Sequence, residues 1–178
     1  MHDGGQFVLG YGSLAAGAPL RPAVLHGHRR VWGVAMDNAL DIPGYKYYRR
    51  SEDGSRPAVF VAFLDVAADA AATTGGALIA ADDALLRALD ARERNYDRVE
   101  VTALVQGAAP GATVWTYRGS AAGRARLELG VRRGNAVVAV DYVAGVRAAL
   151  QVLGFDDVAD PSPLALMRLE RVDLPAPA

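Results

Sequence analysis

Cysteine is absent from this chain of 178 residues, and lysine occurs only once, at Lys46. Without cysteine the chain cannot offer a thiol nucleophile, a disulfide framework or a thiolate metal site. With a single lysine, which lies in a tyrosine-rich stretch, Schiff-base chemistry has one weak candidate. Covalent catalysis through a thiol is therefore excluded, and covalent catalysis through an amine is disfavoured.

An excess of positive charge is also missing, because 19 basic residues stand against 20 acidic ones and the net charge is −1. Such a chain has no electrostatic footprint for nucleic acid or for an acidic membrane surface. No apolar run approaches the roughly 20 residues that a membrane-spanning helix needs. The first five residues lack the basic and apolar regions of a signal peptide, so we expect a cytoplasmic protein.

The composition, with 52% hydrophobic residues, predicts one compact domain over residues 1–174 and a disordered tail at 175–178. Strand-like and helix-like segments do not alternate along the chain. That order favours an α+β fold, with a mixed, curled, barrel-like sheet and a few flanking helices, over a doubly wound fold.

The predicted strands cover 25–38, 58–66, 75–80, 99–105, 113–118 and 137–140. Asp82 is predicted to cap one helix, and Asp141 is predicted to cap a second helix that runs to Leu153. A last short helix is predicted to begin after Ser162. The connecting segments include an aromatic loop at 45–48, an Ala/Asp connector at 67–72 and a Gly/Arg-rich segment at 119–134.

A short apolar strand at residues 7–9 runs into a turn that is flanked by Gly10 and Gly12. Glycine adopts φ values that are closed to other residues, so we expect this turn to aim successive N–H groups at one point. Backbone donors that converge in this way bind an anion, and Ser13 can add a hydroxyl. The expected ligand group is a carboxylate or a phosphate.

Gly10, Gly12 and Ala15 also satisfy the loose form of the dinucleotide fingerprint. That motif works only where a helix begins at the turn, and Pro19 and Pro22 argue against such a helix. A nucleotide-binding oxidoreductase is therefore the weaker interpretation of this stretch.

A carboxylate lies on the apolar face of the helix that follows Asp82. Leu86, Leu89 and Glu93 are spaced at i, i+3 and i+7, so Glu93 stands where the pattern predicts another leucine. Such a position favours partial burial and a raised pKa, as a general acid/base needs. The alternative is an ordinary solvent-facing glutamate that pairs with Arg92 or Arg94.

Three motifs follow one another along the chain: Tyr11-Gly12-Ser13-Leu14 after a strand, Gly75-Gly76 in a strand that feeds a helix, and Leu89-Asp90-Ala91-Arg92-Glu93 followed by Tyr96. A valine-rich strand at 99–105 and Tyr117 come next. This order resembles the γ-glutamylcyclotransferase superfamily over most of the chain.

The resemblance implies an enzyme that converts a γ-glutamyl amino acid, peptide or amine into 5-oxoproline and the free amine. It implies Glu93 as the general acid/base and no metal or organic cofactor; His26 and His28 lack an obvious third metal ligand. The implied partner is a small γ-glutamyl substrate, with no nucleic acid or membrane, and the protein is expected to be a monomer or a homodimer. The substrate-binding residues that the resemblance implies are Tyr11, Gly12, Ser13, Leu14, Tyr96 and Tyr117.

The leaving group is left open at this point. Tyr45, Tyr47 and Tyr48 of the aromatic loop are expected to contact the leaving-group half of the substrate. The alternative function is a non-catalytic protein that binds a small carboxylate ligand on the same fold.

Overall fold

The computed structural model of the protein describes residues 4–16, 21–158, 160–161 and 163–175. The strands are β1 (Gly4–Gly10), β2 (Arg21–Asp37), β3 (Lys46–Arg50), β4 (Phe60–Ala81), β5 (Tyr96–Glu100), β6 (Val105–Gln106), β7 (Ala112–Gly119), β8 (Ala136–Ala139), β9 (Ala165–Met167) and β10 (Leu169–Asp173). The α-helices are α1 (Asp83–Arg92), α2 (Ala121–Arg133) and α3 (Val140–Val152), and short 3₁₀ helices cover Ser13–Ala16 and Thr102–Leu104. The predictions for Pro19, for Ser162 itself and for the tail at 176–178 lie outside the described residues.

Two long antiparallel strands, β2 and β4, form the centre of the sheet. Their register shifts between His26 and His28 and again between Trp32 and Val34, and such bulges bend and twist a strand pair. The strand order is β5-β7-β1-β4-β2-β6, with β8 added on β4 and β9 on β8. Three of these pairs, β1–β7, β4–β8 and β8–β9, are parallel and the others are antiparallel. The predicted α+β fold with a mixed, curled sheet is confirmed.

The predicted Ala/Asp connector at 67–72 is wrong, because β4 runs through it without a break. Ala67 and Ala68 pair with β2, and residues 69–72 form a bulge opposite Gly27. Alanine and aspartate are poor strand formers, so the composition indicated a loop. Pairing with a long neighbouring strand outweighs that preference.

The Gly/Arg-rich segment at 119–134 contains a helix that the sequence analysis missed, α2. Ser120 caps its beginning, since its Oγ accepts a hydrogen bond of 3.1 Å from the N–H of Gly123. A Cβ on Gly123 would lie 2.6 Å from the carbonyl oxygen of Asn95, and one on Gly130 would lie 2.7 Å from Cβ of Phe60. The glycines that lower helix propensity are therefore what allows this helix to approach the sheet.

Four other local predictions are corrected by the structure. The stretch at 46–50 is a strand and not a loop, because β3 pairs with the distant β10. The strand predicted at 99–105 is broken by the 3₁₀ helix, and the helix predicted after Ser162 is replaced by β9 and β10. Asp141 lies in the first turn of α3 and not at its cap, which is Ala139.

A buried amide fixes the position of β3. The Oδ1 atom of Asn38 accepts a hydrogen bond of 2.7 Å from the N–H of Tyr48. Its Nδ2 donates to the carbonyls of Tyr48 and Pro57, both at 2.9 Å. Because Asn38 is fully buried and satisfied on both sides, it ties the end of β2 to a strand that it does not pair with.

None of the helices in the described part of the chain combines the length and the apolar character that crossing a bilayer requires.

Candidate active site

Two adjoining pockets open beside the end of β1. The narrow inner pocket has a volume of about 30 Å³, and the outer pocket has a volume of about 140 Å³. Ser13, Glu93, Tyr96 and Tyr142 line both. The inner pocket is lined by Leu9, Gly10, Leu64 and Tyr142 and by all seven of the catalytic and substrate-binding residues that the resemblance implied: Tyr11, Gly12, Ser13, Leu14, Glu93, Tyr96 and Tyr117.

The two glycines of the N-terminal turn act through close approach, not through unusual backbone angles. Neither Gly10 nor Gly12 has a positive φ, so that part of the sequence interpretation is wrong. A Cβ on Gly10 would lie 2.8 Å from Cβ of Leu14, and one on Gly12 would lie 3.1 Å from the hydroxyl oxygen of Tyr142. Gly10 therefore lets the 3₁₀ helix fold back on β1, and Gly12 keeps the wall of the inner pocket free of a side chain.

An arginine from β2 holds this turn in place. The Nε of Arg30 donates a hydrogen bond of 3.0 Å to the carbonyl of Tyr11, and its Nη2 donates to the carbonyl of Gly75. Its Nη1 lies 2.7 Å from Oδ2 of Asp157, and the Arg30 side chain is only 1% exposed. The sequence analysis gave Arg30 no role, since three partners so distant along the chain leave no local signal.

Glu93 follows the last residue of α1, and its N–H donates a hydrogen bond of 2.8 Å to the carbonyl of Leu89. Leu86 and Leu89 are buried on the same helix face, as their spacing predicts. The Glu93 side chain is 14% exposed, and its Oε1 lies 3.2 Å from Nε of Arg92. Burial raises the pKa of the Glu93 carboxyl, while the nearby cations Arg92 and Lys46 oppose that shift.

The predicted site tyrosines direct their hydroxyls at other protein groups. Tyr11 donates to the carbonyl of Tyr117, and Tyr96 donates to the carbonyl of Leu64 at 2.6 Å. The Tyr117 hydroxyl donates to Oδ1 of Asp90 at 2.8 Å. Within the described ranges, none of these hydroxyls is hydrogen-bonded to Glu93. These three tyrosines build the walls of the inner pocket, while their hydroxyls bind the carbonyls of Tyr117 and Leu64 and the carboxylate of Asp90.

Tyr142, in the first turn of α3, is a pocket residue that the sequence analysis missed. Its ring packs edge-on against Phe63 at 5.4 Å and against Trp32 at 5.9 Å between ring centroids. Burial raises the pKa of the Tyr142 hydroxyl. Nothing in the local sequence distinguishes this tyrosine from an ordinary core residue of an amphipathic helix, so only the fold reveals its position.

The outer pocket takes side chains from the paired strands β3 and β10. Lys46 comes from β3, and Arg171 and Asp173 come from β10. Burial lowers the pKa of the Lys46 ammonium to about 8. Of the three tyrosines in this stretch, only Tyr45 lines the pocket, and burial raises its pKa to about 12.

The other two tyrosines of that stretch lie elsewhere. Tyr48 is buried in the core, and the ring of Tyr47 lies under the guanidinium of Arg56, 4.3 Å from the ring centroid. The expectation that all three contact a ligand is therefore restricted to Tyr45.

The two histidines singled out in the sequence lie in β2, away from both pockets. Nε2 of His26 lies 3.1 Å from Oε1 of Gln106, and Nδ1 of His28 lies 3.1 Å from the carbonyl oxygen of His26. Over the ranges that the structure describes, no three side chains of metal-binding type come together as a cluster.

The family model of the γ-glutamyl cyclotransferase, AIG2-like, proteins matches residues 8–134 of the chain. No curated protein matches the chain. Among solved structures, a γ-glutamyl cyclotransferase specific to glutathione from yeast is similar, with a TM-score of 0.54 and 16% identity over 88% of this chain and 93% of that chain. Its selenomethionine-labelled form has a TM-score of 0.53 and 16% identity over 83% of this chain and 87% of that chain.

Identity at this level shows a shared fold. The family match is more specific, because it spans more than half of the chain and includes both the turn after β1 and Glu93. The chain therefore belongs to the γ-glutamyl cyclotransferase, AIG2-like, family.

Proposed function

We propose that this protein converts a small γ-glutamyl compound into 5-oxoproline and a free amine or amino acid. The observation that carries the proposal is the position of Glu93, whose mostly buried carboxyl has a raised pKa and faces the same narrow pocket as the Gly10–Leu14 turn. Family membership supports the class of reaction.

In this reaction the α-amine nitrogen of the glutamyl group attacks its own γ-carbonyl carbon. A new carbon–nitrogen bond closes the five-membered ring, and the bond from that carbon to the leaving nitrogen breaks. The proton that the α-amine loses passes to Glu93 and then to the leaving nitrogen, so the enzyme ends unchanged. Holding the glutamyl chain folded can supply roughly 7–11 kcal/mol of the barrier, as in other oriented intramolecular reactions.

The turn after β1 is proposed to bind the α-carboxylate of the substrate. Gly12, Ser13 and Leu14 lie at the beginning of the 3₁₀ helix, where backbone N–H groups lack partners inside the helix. The absence of a side chain at Gly12 allows a carboxylate to approach these donors, and Ser13, which lines both pockets, can add its hydroxyl. Tyr11, Tyr96 and Tyr117 are proposed to enclose the glutamyl chain.

The environment of Glu93 suits a proton shuttle. An exposed carboxylate remains ionised and is a weak base, whereas a buried one binds a proton more readily. The alternative interpretation, a solvent-facing glutamate, predicted an ion pair with Arg92 or Arg94. The pair with Arg92 is present at 3.2 Å, but the Arg92 side chain is 47% exposed and the Glu93 side chain only 14%. The carboxyl is thus largely shielded from solvent, while the guanidinium with which it pairs remains about half exposed.

The proposed reaction requires no metal or organic cofactor. The proposed partner is a small γ-glutamyl substrate, with the protein as a monomer or homodimer in the cytoplasm.

Release of 5-oxoproline tests the proposal. The purified protein is incubated with glutathione, a γ-glutamyl amino acid and a γ-glutamyl amine, and 5-oxoproline is measured by chromatography. Release from at least one compound is expected. A folded protein that binds a γ-glutamyl compound and never releases 5-oxoproline would instead be the ligand-binding protein.

A further inference from the structure

We propose that the outer pocket selects γ-glutamyl compounds whose leaving group carries a carboxylate, and that the ammonium of Lys46 binds that carboxylate. The inference rests on the proposed function and makes it more specific. It assigns γ-glutamyl amino acids and peptides as the substrate class and disfavours γ-glutamyl amines.

The two pockets are arranged to hold the two halves of one substrate. They meet at Ser13, Glu93, Tyr96 and Tyr142. A glutamyl chain with its α-carboxylate at the turn and its γ-carbonyl at Glu93 has its leaving group directed toward the outer pocket, which has the larger volume of the two.

The charges of the outer pocket do not balance. Arg92 is paired with Glu93 at 3.2 Å, and Nη2 of Arg171 lies 2.7 Å from Oδ1 of Asp173. Lys46 stands directly opposite Asp173 in the β3–β10 ladder, yet that carboxylate also accepts from Nε of Arg171 at 2.7 Å. Among the residues that the structure describes, the Lys46 ammonium has no ion-pair or hydrogen-bond partner.

Aromatic rings surround the Lys46 ammonium in place of a counter-ion. Nζ lies 4.4 Å from the ring centroid of Phe63, 5.4 Å from that of Tyr45 and 5.9 Å from that of Tyr48. Such contacts hold an ammonium in position but supply no negative charge. A partly buried cation without a counter-ion is unfavourable, so an anionic group that enters the pocket is bound preferentially.

The same geometry disfavours cationic and neutral leaving groups. An aliphatic diamine would place a second positive charge beside Lys46, and an amide would leave the ammonium without its ion pair. Lys46 also influences Glu93, since its charge lowers the pKa of that carboxyl. An effect on Glu93 would act on all substrates alike, whereas an ion pair with the leaving group would not.

The test compares γ-glutamyl-alanine with γ-glutamyl-alaninamide, which differ only in the terminal carboxylate. The wild-type protein is expected to prefer the carboxylate by roughly tenfold or more in kcat/KM, as a charge-assisted hydrogen bond allows. Lys46→Met should reduce the preference to about twofold or less by removing that bond. If Lys46→Met fails to fold in a thermal melt, Lys46→Gln serves in its place.

Arg49→Met is the matched control, because it removes a charge from the opposite face of the same strand. Arg49 lies 3.4 Å from the exposed Glu170 and does not line the outer pocket, so this variant should keep the wild-type preference. An unchanged preference in the Lys46 variant would overturn the proposal. An equal loss for both compounds would overturn it as well, and would assign Lys46 to the tuning of Glu93.

Calorimetry on the Glu93→Gln protein, with and without the Lys46 substitution, separates this inference from the proposed function. A Lys46-dependent preference for γ-glutamyl-alanine in binding, without any 5-oxoproline from the wild-type protein, would retain the subsite and reject the activity. Binding without such a preference, or no binding of either compound, would overturn the subsite whatever the turnover.

Discussion

The guanidinium of Arg30 and the backbone carbonyl of Tyr11 are joined by a hydrogen bond of 3.0 Å from Nε. This contact links the middle of β2 to the turn that closes β1. Because the same guanidinium also meets Asp157 and the carbonyl of Gly75, the turn is fixed before any ligand arrives. Preorganised backbone donors bind an anion without a further ordering cost.

Arg30→Met is expected to lower the free energy of unfolding by about 1–3 kcal/mol, because it leaves buried carbonyls without donors. It should also raise KM, since the turn loses its support. Chemical denaturation and steady-state kinetics measure the two effects. The control is Arg29→Met, which removes a 60% exposed arginine 3.8 Å from Asp69 and should change neither quantity. Equal effects of the two substitutions would contradict the assigned role of Arg30.

Gly12→Val is expected to abolish binding of γ-glutamyl compounds, because the added side chain would occupy the wall that the substrate carboxylate approaches. Its Cβ would lie 3.1 Å from the hydroxyl oxygen of Tyr142, at the inner pocket. Calorimetry measures the affinity. Gly145→Ala is the control, since a Cβ there meets no atom within 4 Å. Unchanged affinity in a folded Gly12→Val protein would make the turn structural only.

The acidic limb of the pH–rate profile should report Glu93. The base must be ionised to accept a proton, so kcat/KM should rise with pH through the pKa of Glu93, which burial places above the ordinary carboxyl value. Arg92→Gln removes a cation that lowers this pKa, so the limb should move to higher pH. Arg87→Gln, at an exposed position of the same helix, should leave it in place. A limb that moves to lower pH in Arg92→Gln would contradict the assignment.

Asp65 is a buried carboxylate that joins β4 to β7 and α2. Its Oδ1 accepts from the N–H groups of Val66 at 2.8 Å and Gly119 at 2.7 Å, and its Oδ2 lies 3.2 Å from Nη2 of Arg124. Asp65→Ala leaves these donors unpaired and should cost about 3–5 kcal/mol of stability in urea denaturation. Asp69→Ala, at a partly exposed pair, should cost about 0–1 kcal/mol. Similar costs at the two positions would show that the Asp65 network adds little.

The parts of the site that depend on local patterns could be predicted from the sequence. Oδ1 of Asp82 accepts from the N–H of Leu85 at 2.8 Å, which confirms the predicted helix cap. The helical spacing of Leu86 and Leu89 then brings Glu93 to the inner pocket. A cap and a helical period are short-range properties, and short-range properties are readable without the fold.

The outer pocket depends on long-range pairing and could not be predicted. Lys46 and Asp173 face each other across the β3–β10 ladder although most of the chain separates them. Tyr142 reaches both pockets only because α3 packs beside the turn. Segment 119–134 was misread for a different reason, since Gly123 and Gly130 lower helix propensity while meeting a packing requirement that the sequence does not display.

The most direct measurement is 5-oxoproline formation by the Glu93→Gln protein, with a thermal melt to confirm folding. Glutamine preserves the volume of the side chain but cannot carry the proton, so turnover should fall by roughly 10²- to 10⁴-fold while ligand affinity changes little. Asp90→Asn is the control, because that carboxylate accepts from the Tyr117 hydroxyl at 2.8 Å and lines neither the inner nor the outer pocket. Near-normal turnover in Glu93→Gln would contradict the assignment of Glu93 as the general acid/base, and a large loss in Asp90→Asn would then assign that role to Asp90.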